Sequence, residues 1–438
     1  MTAISGAAVI TPSAARLTES LRDIGYDFPA AVADIVDNSI AAGASRVDVT
    51  IGFDGEEPRV AIADDGAGMM PAALLEALRF GSCRAYGRGE LGRYGLGLKT
   101  AALSQCRSVT VATRPRAAPG GGVTVLAMDL DLIAERDEWL AVEPSCDRVT
   151  DWARERLAAG PGTVVIWRKL DRVLPEQRPD GGWARRRLDG PAGRTAAHLG
   201  AVFHRYLEAG AGRGLAVTVN GQQVSPWNPF APGEPARSEL PLLRFEISTG
   251  EASGTVTFRR FVLPARSEFS SPEEFGRYSG PLGWNRQQGI YVYRAGRLVQ
   301  WGGWNRLRGI DEHTKLARAA LDFGTDLDAA FNINVAKMRV TIPPQIRTML
   351  ERPAGELCAI ADARYRGASR RPGGEGQPAD LPPRRGSRRA PGPAVPPGAG
   401  LALRAAAMQA GEYEAFLRIT TVLASHAPEI AGALGLTG

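Results

Sequence analysis

The sequence lacks the cysteine and histidine patterns of a metal centre or a disulfide-stabilised fold. It has four cysteines among 438 residues, and no two of them form a C-x-x-C pair. We therefore expect reduced thiols, and neither a zinc ribbon nor a disulfide framework. The four histidines are scattered without the spacing of metal ligands. Function is expected to depend on other side chains.

Long hydrophobic runs are also absent. No apolar segment approaches the ~18–20 residues of a membrane helix. The short run from Ala7 to Ile10 has no basic segment before it, unlike a secretory signal. We expect a cytoplasmic protein without a membrane partner. Its composition, 44% hydrophobic and 23% charged, is that of a globular chain, and 438 residues suggest two to three domains.

Acidic residues are outnumbered only modestly by basic ones. The net charge is +6 and the pI about 9.3. This balance allows a nucleic-acid partner without requiring one. The 52 glycines and 31 prolines, with many alanines and arginines, partly resemble the codon bias of a GC-rich genome. The positive charge therefore carries less weight as an indication of function.

Hydrophobic periodicity predicts an α+β protein with two structured domains. The first domain, residues 1–171, combines helical spacing near its start with several alternating strands. The second, residues 172–365, is β-rich and ends in a helix. Residues 366–400 are rich in Pro, Gly and Arg and are predicted to be disordered. Residues 401–438 are predicted to form a C-terminal amphipathic helix.

The first candidate motif is a D-x-x-x-N pair on the second predicted helix. Asp34 and Asn38 are four residues apart and therefore share a face. They border the apolar stripe, where polar groups need partners. An isolated D-x-x-x-N motif is more typical of a solvent-exposed helix face.

The second candidate motif follows a predicted strand. Asp64 is succeeded by Gly66, Gly68 and Met69. A carboxylate followed by G-x-G at a strand end lets side chain and backbone meet a flat ligand together. A simple turn explains this motif equally well when it is viewed alone.

The third candidate motif is a glycine-rich segment that leads into a helix. Residues 81–97 contain few apolar residues and are predicted to form a mobile lid. A helix start after glycines offers free N–H groups to a phosphate. The pattern differs from the P-loop, and alone it is equally typical of a flexible turn. The candidate residues are Gly92, Tyr94, Gly95, Leu96, Gly97, Lys99 and Thr100.

Taken in order, and with Gly162-Thr163 before a buried strand, these motifs resemble the GHKL ATPase superfamily. Its members share the Bergerat nucleotide-binding fold, an α/β sandwich. The segments Asp-Ile-Val-Asp-Asn-Ser and Gly-Arg-Tyr-Gly-Leu-Gly-Leu-Lys are most similar to prokaryotic MORC-like and MutL-like ATPases. The resemblance covers residues 17–167 well.

The resemblance implies ATP and Mg²⁺ as cofactors and a role for each matching residue. Asn38 is expected to bind the Mg²⁺ that bridges the phosphates, and Asp64 to accept the adenine amino group. Thr163 is expected to assist Asp64 through a water. The glycines and Met69 beside Asp64 would border the base, and the lid residues would hold the phosphates.

The family's usual general base is a glutamate, and this position is Asp34 here. Aspartate is one methylene shorter, and errors of about 1 Å can cost ~10²-fold in rate. We therefore expect slow hydrolysis with Asp34 as the base. Asp37 faces another side of the helix and is a weaker candidate.

The second domain is similar to the ribosomal-S5-like transducer of MutL, gyrase and MORC. The similarity lies in residues 215–230 and 288–297. In those relatives a transducer lysine reaches the γ-phosphate, and Lys337 is the candidate here. An exposed loop lysine is the alternative interpretation of Lys337.

These features favour an ATP-gated dimeric clamp that acts on DNA. The resemblance adds phage defence or DNA maintenance, with a nuclease or helicase as partner protein. One alternative is a nucleotide-binding regulatory subunit with little turnover, suggested by Asp34. An Hsp90-like chaperone is another, although a long middle domain is absent from the sequence. A histidine kinase is disfavoured because no histidine lies in a helix before the ATPase segment.

Overall fold

The computed structural model describes residues 12–23, 25–55, 57–81, 97–118, 120–175, 182–208, 214–249, 252–333 and 340–369, together with 403–404, 407–408, 413–426, 431–432, 434 and 436. The chain divides into two compact units, Met1–Gly376 and Gln377–Gly438. The first unit carries two mixed β-sheets with flanking helices, which confirms the predicted α+β class.

The helices of the first unit are α1 (Ala14–Arg22), α2 (Phe28–Ala41), α3 (Pro71–Leu78), α4 (Gly97–Leu103), α5 (Leu130–Arg136), α6 (Arg148–Ala158), α7 (Gly182–Val202), α8 (His204–Leu207), α9 (Pro272–Tyr278), α10 (Gly283–Gln287) and α11 (Pro344–Ser369). The second unit contains α12 (Tyr413–His426). The strands are β1 (Arg46–Asp54), β2 (Glu57–Asp64), β3 (Ser108–Arg114), β4 (Thr124–Asp129), β5 (Gly162–Arg168), β6 (Ala216–Val219), β7 (Gln222–Gln223), β8 (Ser238–Thr249), β9 (Ala252–Val262), β10 (Gly289–Arg294), β11 (Arg297–Gln300) and β12 (Ala317–Phe323).

The first sheet has the strand order β4-β3-β5-β2-β1-β6-β7. The pair β1–β6 is parallel and the other neighbours are antiparallel. Both faces of this sheet are buried. Successive side chains of a strand point to opposite faces, so alternate residues of one strand enter different cores. On β2, Val60 and Ile62 join the core that includes α2 and α4, whereas Ala61 and Ala63 join the core that includes α6. Strand β2 is therefore packed on both of its faces.

The strand at 216–219, which the sequence analysis assigns to the second domain, belongs to the first sheet. Thr218 of β6 lies opposite Asp48 of β1, and α7 packs against α2. The two paired strands lie far apart along the chain, so local sequence patterns give no sign of the pairing. The domain boundary at residue 171 stays a prediction.

The second sheet has the order β11-β10-β12-β9-β8. Helix α11 packs against it, and Phe258, Leu321 and Leu357 share its buried core. The Phe323 and Phe331 rings stack with their centroids 3.9 Å apart. The sheet therefore has its own core beside the first.

Short contacts join the two sheets of the first unit through α8. The Arg205 guanidinium forms an ion pair with Asp322 of β12. The Tyr206 hydroxyl donates to the Ala295 carbonyl in the β10–β11 turn at 2.8 Å. The turn between the two strands is thereby held against the first sheet's helices.

Most of the predicted mobile lid over residues 81–97 and of the predicted disordered segment over 366–400 lies outside the described residues. Within the described part, Gly97 already begins α4, and α11 continues to Ser369, so residues 366–369 are helical rather than disordered. None of the described helices combines the length and apolar character needed to cross a membrane.

Candidate functional site

The site is built on α2, and local sequence sets where this helix begins. The Asp27 carboxylate caps it by accepting the Ala30 N–H at 2.8 Å, and Pro29 occupies the first turn. The helix then places Asp34 and Asn38 one turn apart, as their spacing predicts.

Asp34 and Asn38 lie in contrasting surroundings. Asp34 is 1% exposed, and its Oδ2 accepts a hydrogen bond from the Tyr26 hydroxyl at 3.0 Å. The Asn38 side chain is exposed. The helix therefore offers an open amide to a ligand, with a shielded carboxylate next to it.

The end of β2 places Asp64 beside α2. Asp64 Oδ2 accepts from the Ser39 hydroxyl at 2.8 Å, and Oδ1 from the Gly66 N–H at 2.9 Å. Burial raises the pKa of Asp64, although the bonds from Gly66 and Ser39 oppose the rise. A carboxylate can accept about four hydrogen bonds. Asp64 can therefore also accept a donor from a ligand, such as an amino group.

Two threonines connect the strand ends next to Asp64. Thr163 lies opposite Asp64 in the sheet, and its hydroxyl is 3.2 Å from that of Thr113. The Thr113 hydroxyl also lies 3.0 Å from the Gly162 carbonyl and accepts the Met69 N–H at 2.9 Å. Sequence reasoning missed Thr113, because only the pairing of β3 with β5 brings it here.

Gly66 and Gly68 are needed by the packing of the loop itself. Gly68 has φ +63°, and a Cβ there would overlap the Arg114 carbonyl oxygen. A Cβ at Gly66 would lie 2.8 Å from the Ala42 Cβ. The glycines therefore let the loop close against β3 and α2, a requirement that arises only from tertiary packing.

Lys99, on the first turn of α4, contacts another helix. Its ammonium donates to the carbonyl groups of Ala77 and Arg79, at 2.8 and 2.6 Å. It also lies 5.9 Å from the centre of the Phe80 ring. Burial lowers the pKa of Lys99 to about 8, although the negative charge of Glu76 acts to raise it. Lys99 satisfies the end of α3 here, and its predicted phosphate contact stays a prediction.

Tyr26 lies between Asp34 and α4, and sequence reasoning missed it. Besides donating to Asp34, the Tyr26 hydroxyl is hydrogen-bonded to the Thr100 side chain. A Cβ on Gly97 would be 2.5 Å from Asp34 Oδ2, so α4 begins directly against this carboxylate. Burial and the Asp34 charge raise the pKa of Tyr26. No local pattern distinguishes this tyrosine, which precedes the helix cap.

Asp37 forms a buried ion pair with the second sheet. The Arg297 Nε of β11 donates to Asp37 Oδ1 at 2.8 Å, and the Arg297 and Asp37 side chains are 4% and 0% exposed. The pair links the residue next to Asn38 with β11. Arg297 is also missed by sequence reasoning, because its partner lies 260 residues away.

Five of the predicted site residues lie outside the described residues, and their roles stay predictions. They are Gly92, Tyr94, Gly95, Leu96 and Lys337.

Residues 26–157 match a family model described as histidine kinase-, DNA gyrase B-, and HSP90-like ATPase. This segment contains the described site residues of α2, β2 and α4, while Thr163 lies just beyond it.

Two curated relatives match part of the chain. It is 39% identical over 93 residues to the DNA mismatch repair protein MutL of Rhodospirillum rubrum. It is 37% identical over 92 residues to the MutL of Paramagnetospirillum magneticum. The alignments cover 21% and 20% of this chain, but only 15% of each relative.

Proposed function

We propose that this protein, whose residues 26–157 match the family model of histidine kinase-, DNA gyrase B-, and HSP90-like ATPases, is a GHKL-type ATPase that binds ATP and hydrolyses it slowly. The observation that carries the proposal is the arrangement around Asp64. Its carboxylate is held by Ser39 and Gly66 at a strand end, while Asn38, on the same helix as Ser39, is open to a ligand.

Each described residue has a chemical role in this proposal. Asp64 accepts the adenine amino group, assisted by Thr163 through a water. Asn38 supplies an amide oxygen to Mg²⁺, which prefers oxygen ligands and retains several waters. When bound, this ion would neutralise phosphate charge. Thr100 and the start of α4, with the preceding glycine-rich segment, contact the phosphates.

The adenine contact is tested by Asp64→Asn with Asp65→Asn as its matched control. Asp64→Asn replaces an acceptor by a group that also donates, so we expect at least a roughly tenfold weaker affinity for an ATP analogue. Asp65 instead accepts bonds from Ser45 and Arg46 at the start of β1, and its variant should bind normally. Calorimetric titration measures both, and equal affinities of the two variants would contradict the proposal.

Hydrolysis is assigned to Asp34 as the group that orients the attacking water. Asp34→Ala should lower the steady-state rate while analogue affinity is kept. An unchanged rate would remove this role from Asp34.

The alternative is a nucleotide-binding regulatory subunit with little turnover. It is favoured by the shortness of Asp34 and by its 1% exposure, which restrict access of water. A wild-type protein that binds ATP but shows no turnover, with or without DNA, would support this alternative.

DNA is the proposed macromolecular partner, and α7 offers a surface for it. The helix has four arginines and one acidic residue. Trp183 is 47% exposed, and the Arg187 guanidinium lies 5.5 Å from the centre of its ring. Arg186 and Arg194 are also exposed. Arginines attract DNA phosphates whatever the nucleotide sequence, and an exposed aromatic ring can stack on an unpaired base.

Salt-dependent DNA binding tests this surface. Arg186→Ala, Arg187→Ala and Arg194→Ala combined should reduce the slope of log K against log salt by about 0.7–0.9 for each phosphate that is no longer neutralised. Arg352→Ala with Arg366→Ala, two exposed arginines on α11, is the control and should leave the slope unchanged. The absence of DNA binding at low salt with an ATP analogue would contradict DNA as the partner.

We further propose that ATP drives homodimerisation and that the second sheet belongs to an S5-like transducer with Lys337 as its phosphate contact. A nuclease or helicase partner in phage defence or DNA maintenance is part of the same proposal. Size-exclusion chromatography should show a dimer with an ATP analogue and a monomer with ADP. Identical elution in both states would count against the clamp.

A further inference from the structure

We propose that Tyr26 is a positioning residue for Asp34, holding the short carboxylate where the general base must act. This inference deepens the proposed ATPase function and rests on it. Tyr26 belongs to the segment before α2, outside the motifs identified in the sequence.

The geometry places Tyr26 directly against the proposed base. Its hydroxyl donates to Asp34 Oδ2 at 3.0 Å, and Tyr26 and Asp34 are both buried, at 8% and 1% exposure. On the other side, Gly97 leaves no room for a Cβ beside the same oxygen. The carboxylate is thus enclosed by a hydrogen-bond donor and the start of α4.

The side chain of aspartate explains why such support is needed. An aspartate ends one methylene closer to its helix than a glutamate, and about 1 Å of misplacement can cost ~10²-fold in rate. A bond from a fixed phenol restricts the rotation of the short carboxylate. Because a carboxylate accepts about four hydrogen bonds, Asp34 can still orient a water.

Tyr26 is itself fixed at its backbone. Its carbonyl accepts from Gln105 Nε2 at 3.1 Å, and the same nitrogen donates to the Ser104 hydroxyl at 3.0 Å. The next residue, Asp27, caps α2. Because the pKa of Tyr26 is raised, its phenol stays protonated and remains a hydrogen-bond donor to the Asp34 carboxylate.

The same hydroxyl connects the base with a residue predicted to contact phosphate. Thr100 of α4 is hydrogen-bonded to Tyr26. Asp34, Tyr26 and Thr100 therefore form one chain of polar groups from α2 to α4.

Tyr26→Phe tests the inference in the 438-residue chain. Deleting one hydrogen bond to a charged group should lower kcat about 10- to 100-fold, while the affinity for an ATP analogue stays within about twofold. The matched control is Tyr206→Phe, which removes another buried hydroxyl bond, to the Ala295 carbonyl at 2.8 Å. This control should retain the wild-type kcat.

A double-mutant cycle separates positioning from general structural support. In an Asp34→Asn background, measured by single turnover with excess enzyme, Tyr26→Phe should have no further effect. Equal losses in both backgrounds, or a wild-type kcat in Tyr26→Phe, would overturn the role of Tyr26 while leaving the ATPase proposal intact. A wild-type protein without turnover would instead overturn the hydrolysis proposal and this inference together.

Discussion

At the scale of single residues, Gly68 is required by backbone geometry rather than by its small size alone. It has φ +63°, and a side chain would overlap the Arg114 carbonyl. We predict that Gly68→Ala lowers the free energy of unfolding by about 1–3 kcal/mol, the cost of a strained backbone. It should also weaken binding of an ATP analogue, because the loop follows Asp64. Denaturant titration and calorimetry measure the two effects.

Gly52→Ala is the control for this prediction. Gly52 lies in β1 without a positive φ, and a Cβ added there would meet no heavy atom within 4 Å. The variant should unfold like the wild type and bind the analogue normally. Similar losses in the two variants would contradict the assigned role of Gly68.

Lys99 predicts a pH dependence of stability with a definite sign. Burial lowers its pKa to about 8 in the folded protein, from 10.5. Between these values the unfolded state binds more protons, so the free energy of unfolding rises with pH. Lys99→Met should remove this rise. Denaturant titrations from about pH 7.5 to 10 should show the wild type gaining stability relative to the variant.

Lys169→Met provides the control over the same pH range. Partial burial alone would lower the pKa of Lys169, but bonds to Asp129 and Asp131 outweigh this effect and raise the pKa. The contribution of Lys169 to the free energy of unfolding is therefore complete below pH 10.5 and is lost only above that pH. The difference between wild type and this variant should stay constant over the whole titration range. A constant difference for Lys99→Met as well would refute the assignment.

At the scale of elements, the Asp37–Arg297 pair joins α2 to β11. Both side chains are almost fully buried, and breaking such a pair costs about 3–5 kcal/mol because one charge is left uncompensated. We predict this loss for Arg297→Met, measured by denaturant titration. The double variant with Asp37→Asn should recover most of it, since no buried charge remains.

The exposed pair Arg352–Glu356 on α11 is the control at this scale. The Arg352 side chain is 90% exposed, and exposed pairs contribute little to stability. Arg352→Met should therefore unfold almost like the wild type. No recovery in the Asp37→Asn double variant would mean that the loss comes from packing rather than charge.

At the scale of the whole molecule, nucleotide binding is predicted to depend on only one of the two compact units. The described residues of the candidate site all belong to the unit Met1–Gly376. A protein ending at Gly376 should therefore bind an ATP analogue with the affinity of the full chain. The analogue should raise its free energy of unfolding by the same amount, because stabilisation by a ligand depends only on affinity and concentration. A lower affinity would assign part of the site to residues 377–438.

Much of the local structure could be predicted from the sequence. The cap of α2 and the alternation of β1 are encoded by neighbouring residues. For the same reason, the spacing of Asp34 and Asn38 was sufficient to place them on one helix. Local patterns specify these features because their hydrogen bonds and backbone angles involve only nearby residues.

The tertiary structure alone decided the partners of these groups. Tyr26 against Asp34, Thr113 beside Thr163 and Arg297 on Asp37 are contacts between separate elements. Such contacts depend on strand register and helix packing, which no local pattern contains. The sequence thus determined which residues could form a nucleotide site. Only the packing of α2, α4 and the two sheets decided that a buried tyrosine supports the short carboxylate.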